Sequence, residues 1–324
     1  MDLEEAIRAL GVVDTHYHVG PELLPRRYDV ASLATAARSI HATLVLKNHT
    51  YPTSALASLA RARHGVRFLG GVVLNRFVGG LNPDAVTGAV SGNRTDVTAP
   101  PTSEPPIVVW MPTVHAASHL RVLGHSFDPR WSGCCTGHAP HPPHERRGEP
   151  HPLETAVEAF DDAGRPRPEL IAVLEVIART RSRLATGHLS SQEILRLVPL
   201  ALSIGVPAIL ITHPHYPSVH LSDGDLRTLT RHPEVFIEHC FAIHTIEEVP
   251  LSTLAASIRA TGPEQVILST DFGQVHSDAF PEGTLRYARE IERELAGSIS
   301  RAELLRMFAH NGARALGIPL VSPW

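Results

Sequence analysis

The chain alternates short apolar runs with longer amphipathic segments, and this alternation constrains its fold more than any other feature. Most runs are continuously apolar, which is typical of strands covered on both faces in a parallel sheet. Eight strands are predicted, at Val12–Val19, Ala42–His49, Arg67–Asn75, Ile107–Thr113, Arg183–Leu189, Ala208–His213, Val235–Cys240 and Val266–Phe272. The predicted helices are Asp29–Ser39, Ser54–His64, Leu81–Val90, Pro168–Thr180, Ser191–Ile204, Ser222–Thr230, Leu251–Thr261 and Pro281–Leu295.

Eight strand–helix units predict a single α/β domain over residues 1–324, built as a (β/α)8 TIM barrel rather than an open sheet. One long irregular insertion interrupts the rhythm between strands four and five. Residues 124–152 are rich in Pro, His and Arg and lack apolar periodicity. The insertion leaves the carboxyl-end face, where barrel enzymes build their active sites, so we expect either a lid or a disordered loop.

Composition excludes several classes of partner. The 324 residues carry a formal charge of −4, which offers no basic surface for nucleic acid or a membrane. No apolar stretch approaches the roughly 20 residues that span a bilayer, and the acidic, helical N-terminus is unlike a secretory signal. Three cysteines, Cys134, Cys135 and Cys240, make no disulfide framework. We expect a cytoplasmic protein with a small-molecule substrate, and the sequence leaves homo-oligomerisation open.

Metal-ligating side chains stand at the ends of four predicted strands. His16 and His18 are two residues apart on strand one, so their side chains share a face. His188 ends strand five, His213 ends strand six and Asp271 ends strand eight. The carboxyl ends of barrel strands meet at one rim, and imidazole and carboxylate are natural ligands of zinc and similar ions. The alternative is that these five polar side chains each have separate hydrogen-bond partners and bind no metal. Their position at a common rim favours one metal site.

This ligand pattern resembles that of the amidohydrolase superfamily, from about Val12 to Gly317. The segment from His310 to Gly317 is also similar to the superfamily's Asn-Pro-Ala-Arg-x-x-Gly tail, with Gly312 in place of Pro. The resemblance implies a metal-dependent hydrolase that activates water against an amide, cyclic amide, lactone or phosphoester. Asp271 would carry the water's proton to the leaving group, with His213 as the second catalytic residue.

Two other functions remain open. Superfamily members that hold one metal ion and lack a strand-four ligand include decarboxylases. The other candidate is a non-catalytic barrel that binds a metabolite, and the intact ligand set argues against it.

Lys47 is the predicted sixth metal ligand. Dinuclear members of the superfamily supply a bridging carboxylated Lys or a Glu from strand four, and neither follows Trp110 here. Lys47 ends strand two and is the single lysine among 29 basic residues. A buried lysine shifts toward the neutral amine, which reacts with CO2. The prediction is a carboxylated Lys47 between two zinc ions. The alternative is an ammonium that binds a substrate anion beside one ion, and manganese or iron could replace zinc.

Four further side chains are predicted to contact the substrate. His49 shares the face of Lys47, and His115 follows strand four. Arg76 follows strand three, where a guanidinium could clamp a carboxylate or phosphate. Glu238 and His239 end strand seven, but adjacent residues face opposite sides, so one of them at most enters the barrel. We predict that His239 is the one that enters the barrel and contacts the substrate.

Overall fold

Strands and helices alternate along the chain as the sequence predicts. The computed structural model describes residues 2–22, 25–93, 104–123 and 156–320. The strands are β1 Val13–His18, β2 Thr43–Lys47, β3 Arg67–Leu69, β4 Gly71–Val73, β5 Val108–Trp110, β6 Arg183–Ala185, β7 Ile209–Thr212, β8 Val235–Cys240 and β9 Val266–Ser269. The third predicted strand is divided into β3 and β4 at Gly70. A side chain at Gly70 would collide with the backbone of Ser54, where a helix begins.

Every pairing between these strands is parallel. One sheet has the order β1-β2-β3, and a second runs in chain order from β4 to β9. The amide of His18 donates to the carbonyl of Phe272 at 2.7 Å, and the amide of Asp271 donates to the carbonyl of His16 at 2.9 Å. These bonds join the first strand to the segment after the last one. The architecture is therefore the predicted (β/α)8 barrel.

The helices cover the outside of the barrel. They are α1 Leu3–Leu10, α2 Val30–Arg38, α3 Ser54–His64, α4 Pro83–Gly92, α5 Ala117–Leu123, α6 Pro168–Arg179, α7 Ser191–Ile204, α8 Asp223–Leu229, α9 Phe241–Thr245, α10 Leu251–Thr261, α11 Phe280–Glu294, α12 Arg301–Leu305 and α13 Asn311–Leu316. Local sequence fixes several starts. The Ser190 side chain accepts from the amide of Glu193, whose carboxylate accepts from the amide of Ser190 in return.

The amino end of the barrel is closed by the C-terminal helix. Ala313, Ala315 and Leu316 of α13 pack in one cluster with the inward-facing Val13 and Phe236. The Asn311 amide group donates to the carbonyls of Pro263 at 2.8 Å and Val266 at 2.6 Å. The tail that resembles the superfamily motif thus seals one end of the barrel, and the polar side chains collect at the other.

Two sequence predictions are not settled by this structure. The insertion at 124–152 lies outside the described residues, so its role as a lid stays a prediction, as does the single domain over 1–324. Among the described residues, no helix combines the length and apolarity that crossing a membrane requires.

Candidate metal centre

Six side chains predicted to bind metal stand at the carboxyl end of the barrel. His16 and His18 lie on β1, and Lys47 is the last residue of β2. The other three follow the strands directly: His188 after β6, His213 after β7 and Asp271 after β9. The histidines and Lys47 are at most 3% exposed, and the side chain of Asp271 is 13% exposed. A shared buried position at one rim is what a metal site on this fold requires.

Asp271 joins the two histidines of β1. Its Oδ1 lies 3.0 Å from Nε2 of His16 and 3.1 Å from Nε2 of His18. The Nζ atom of Lys47 lies 2.8 Å from the same His16 nitrogen. Ligands about 2.1 Å from one tetrahedral ion are about 3.4 Å apart, so these atoms are spaced nearly as ligands of a single ion.

His188 and His213 complete a ring of imidazoles. Their ring centroids are 5.0 Å apart, and His213 lies 5.8 Å from His16. Tyr216 packs against both rings, at 4.5 Å from His188 and 4.9 Å from His213. His213 and Asp271 have positive φ angles of 26° and 54°. Such conformations are costly for non-glycine residues and concentrate at functional sites.

Burial sets the protonation of these histidines. It lowers the pKa of His213 to about 3 and holds the pKa values of His18 and His188 well below their usual range. Burial would raise the pKa of Asp271, but the adjacent His16 and His18 hold it well below normal. His18, His188 and His213 are therefore neutral imidazoles beside an ionised carboxylate, which are the forms that bind metal ions. Burial would lower the pKa of His16 as well, but the adjacent Asp271 carboxylate raises it.

Three of these side chains bring ligand atoms close enough together for one ion. Potential ligand atoms of His16, His18 and Asp271 all lie within 4.8 Å of one another. Two imidazole nitrogens and a carboxylate oxygen are a donor set that suits a divalent ion. The residues present therefore fit such an ion held by His16, His18 and Asp271, and the part of His188 and His213 in holding it stays a prediction.

Glu238 supports His16, and the sequence prediction missed it. Its Oε2 accepts a hydrogen bond from Nδ1 of His16 at 3.0 Å, and its Oε1 accepts one from the Thr15 hydroxyl. The register of β1 shifts between Asp14 and Tyr17, which lets Thr15 and His16 both face inward. A metal-bound histidine commonly donates its other nitrogen to such a carboxylate. Phe236 faces inward on β8, so Glu238 two positions later does as well, but the sequence alone does not show which face Phe236 takes.

Asp14 holds the two ligand-bearing segments together. One carboxylate oxygen accepts from the amide of His16 at 2.9 Å. The other accepts from the amide and hydroxyl of Thr270, at 3.0 and 2.6 Å. Burial raises the pKa of Asp14 to about 7. Asp14 therefore ties the histidines of β1 to the turn that carries Asp271.

Of the four predicted substrate contacts, the structure brings one to the metal-ligand cluster. His49 lines the cavity there, with Nδ1 3.0 Å from the Thr113 hydroxyl. His115 instead packs edge-on against Phe77, with ring centroids 5.1 Å apart. Arg76 lines a different cavity of about 430 Å³.

His239 is placed outside the barrel, which corrects its assignment to the substrate. Its ring stacks on His215 at 5.5 Å, and its outward neighbour on β8, Ile237, belongs to the core between sheet and helices. The physical reason is strand alternation: Glu238 takes the inward position, so the next side chain must face the helices.

The cavity beside the cluster is small and two-sided. One wall carries His18, Lys47, His188, His213 and Asp271, and the other is α9 and its end, with Ala242, Ile243, Ile246 and Glu247. The space between the described residues is about 10 Å³, enough for about one water molecule. The wall opposite the ligands is mostly apolar, so it limits the access of water to the cluster.

Comparison with known proteins identifies a family and a fold. The profile of DUF6282, a family of unknown function, matches residues 11–238. The chain belongs to the DUF6282 family. A search of curated proteins gave no match. Solved structures similar to this family member are enzymes with amidohydrolase-type barrels.

Three of those structures cover nearly the whole chain. An amidohydrolase from Pseudomonas aeruginosa is 10% identical, with a TM-score of 0.56 and coverage of 98% of both chains. A variant of organophosphorus hydrolase from Deinococcus radiodurans is 16% identical, with a TM-score of 0.53 and coverage of 96% of this chain and 94% of that one. A 2,6-dihydroxybenzoate decarboxylase from Rhizobium is 12% identical, with a TM-score of 0.50 and coverage of 95% and 98%. At these identities the likeness establishes the amidohydrolase-type barrel and leaves the reaction open.

Proposed function

We propose that the chain is a metal-dependent hydrolase that acts on an amide, cyclic amide, lactone or phosphoester. One observation carries the proposal: Oδ1 of Asp271 lies within 3.1 Å of Nε2 of both His16 and His18, at the wall of the cavity between these residues and α9. A divalent ion held there lowers the pKa of water to about 7 and polarises a carbonyl or phosphoryl oxygen.

Asp271 is the proton carrier in this proposal. Its Oδ1 faces the two histidines, which leaves Oδ2 to accept a proton from the attacking water and deliver it to the leaving group. The low pKa of Asp271 keeps the carboxylate ionised before the reaction. His213 is uncharged at neutral pH, so it can hold the ion without repelling it. The apolar residues of α9 exclude competing water from the reacting group.

Lys47 determines the number of ions. Its Nζ lies 2.8 Å from His16 and 5.5 Å above the ring of Trp110, so it reaches the ligand cluster. As a neutral amine it would form an N–C bond with CO2 and lose a proton, and the resulting carbamate would supply oxygen ligands for a second ion. We propose this form, with zinc as the metal. The bare ammonium beside one ion is the competing state.

Metal analysis with a substrate panel tests the proposed function. Protein purified without added metal should contain one or two divalent ions per chain, mainly zinc, by elemental analysis. It should hydrolyse at least one member of a panel of amides, cyclic amides, lactones and phosphoesters. A metal-free protein that gains no activity from Zn, Mn or Co would refute the proposal.

A decarboxylase is the second candidate. Two observations favour it: β5 ends at Trp110 with no Lys or Glu to bridge two ions, and the fold resembles that of a 2,6-dihydroxybenzoate decarboxylase. One ion per chain, together with CO2 release from aromatic carboxylic acids and no hydrolysis, would establish this function instead.

A further inference from the structure

The first turn of α5 packs against His188, the predicted metal ligand that follows β6. The Ser118 hydroxyl donates to the backbone carbonyl of His188 at 2.6 Å. Beside it, Nδ1 of His119 lies 2.9 Å from Nδ1 of His188. Ser118 and His119 are 5% and 3% exposed. Two consecutive buried residues of α5 therefore bind both the backbone and the ring of His188.

The position of His119 is itself fixed. Its ring stacks on Tyr216 with centroids 5.9 Å apart and 7° between the planes, and the same tyrosine packs on His188 at 4.5 Å. The backbone at the start of α5 is tied to Val157, whose amide donates to the carbonyl of His115 at 2.7 Å. The His119 ring is therefore held by packing rather than by the bond to His188 alone.

The contact between the two Nδ1 atoms couples the tautomer of His188 to that of His119. A hydrogen bond between two imidazole nitrogens requires one N–H and one lone pair. If His188 donates from Nδ1, its lone pair is on Nε2, on the side of the ring away from His119. The orientation of a metal-bound histidine is set in this way by the partner of its other nitrogen.

We propose that His119 is a positioning residue that keeps His188 as its Nδ1–H tautomer and presents Nε2 to the metal ion. The inference rests on the proposed metal site and adds a residue that the ligand pattern does not contain. It also separates two ligands by chemistry. His16 is oriented by the carboxylate of Glu238, whereas His188 is oriented by an imidazole, which carries no negative charge. The ring of His188 is therefore oriented without adding negative charge to the site.

Histidine tautomers measured by NMR test the inference in the metal-free protein. With the full chain labelled with 15N at histidine, and His188 assigned from the His188→Asn variant, wild-type His188 should show the Nδ1–H pattern. In His119→Ala it should shift to a mixture containing the Nε2–H form. In His119→Asn the amide oxygen can still accept from Nδ1, so the Nδ1–H form should return. A wild-type His188 in the Nε2–H form overturns the inference without involving any metal.

Metal affinity supplies the second readout. Competition for zinc against a chromophoric chelator should show His119→Ala weakened by about 10–100-fold, with the number of ions per chain unchanged. Added imidazole should restore much of that affinity by filling the vacated space. The matched control is His244→Ala on α9, which also loses an imidazole hydrogen bond, from Nδ1 to the carbonyl of Val249 at 3.0 Å. It should bind zinc as the wild type does.

Three outcomes of the affinity experiment contradict the inference. Unchanged affinity in His119→Ala means that the contact does not position His188. The loss of one whole ion per chain means that His119 is itself a ligand. Equal weakening in His119→Ala and His244→Ala means a general loss of stability. If the wild type binds no ion, the proposed function fails too, and the tautomer measurement still decides whether His119 controls His188.

Discussion

Replacing Glu238 with glutamine should weaken metal binding without unfolding the chain. Glu238 and His16 are at most 1% exposed, and the carboxylate accepts from Nδ1 of His16 at 3.0 Å. Glutamine has nearly the same shape. Its carbonyl oxygen can accept from His16, and its amide group can donate to the hydroxyl of Thr15. What the variant loses is the negative charge behind the ligand.

The expected magnitude follows from the kind of bond that is lost. A buried hydrogen bond to a charged group contributes about 1.5–3 kcal/mol, and a neutral one about 0.5–1.5 kcal/mol. The difference of about 1–1.5 kcal/mol corresponds to an affinity about tenfold weaker for Glu238→Gln. Glu238→Ala leaves Nδ1 of His16 without an acceptor, so its affinity should fall further, by about a hundredfold.

Chelator competition for zinc, with the melting temperature recorded with and without metal, measures both effects. His239→Gln is the matched control, because His239 adjoins Glu238 on β8 but faces the helices. It should keep the wild-type affinity. An unchanged affinity in Glu238→Gln, or an equal loss in His239→Gln, would show that the carboxylate does not support His16 as a ligand.

Four further outcomes are expected. Asp271→Asn should retain most of the metal, because the amide oxygen can still coordinate. It should lose most of kcat, because an amide cannot accept and deliver a proton at neutral pH. A near-normal kcat would exclude Asp271 as the proton carrier. Lys47→Ala should lower the metal content from two ions to at most one, whereas a raised KM with unchanged metal content would indicate an ammonium that binds substrate. Removal of the metal with a chelator should abolish turnover and lower the melting temperature, and zinc should restore both. In the metal-free protein the unfolded chain takes up a proton at His213 below about pH 6.5, whereas burial lowers the pKa of His213 in the folded chain to about 3. The free energy of unfolding should therefore fall as the pH falls from about 6.5 to about 3, by up to about 1.4 kcal/mol per pH unit. In urea titrations, His213→Asn should show a weaker dependence of this free energy on pH.

The barrel could be predicted because its signal is local. Apolar runs and capping residues determine each strand and helix separately, and helices such as Ser54–His64 and Ser191–Ile204 begin and end where the sequence indicates. The division of the third strand at Gly70 could not be predicted. Gly70 packs closely against the backbone of Ser54, which only the packed structure reveals.

The position of the candidate ligands at one rim could be predicted from the sequence, but the partners of these side chains could not. A histidine that follows a strand of a barrel reaches the carboxyl-end rim whatever the detailed register. The partner depends on which face a residue takes. The run of β8 is buried throughout, so polarity gave no alternation to separate Glu238 from His239. His119 lies on a helix after β5, and its contact with His188 spans 69 residues. Such pairs are a property of the fold.

The buried charges connect the state of Lys47 to the number of metal ions. Asp14, Glu238 and Asp271 are acids around the site, and Lys47 is the buried base that touches it. A carbamate changes the charge of Lys47 from plus one to minus one, and this change of minus two is balanced by one additional divalent ion. Uncompensated charge is costly in a buried site, so carboxylation and the second ion stabilise each other and should appear or disappear together.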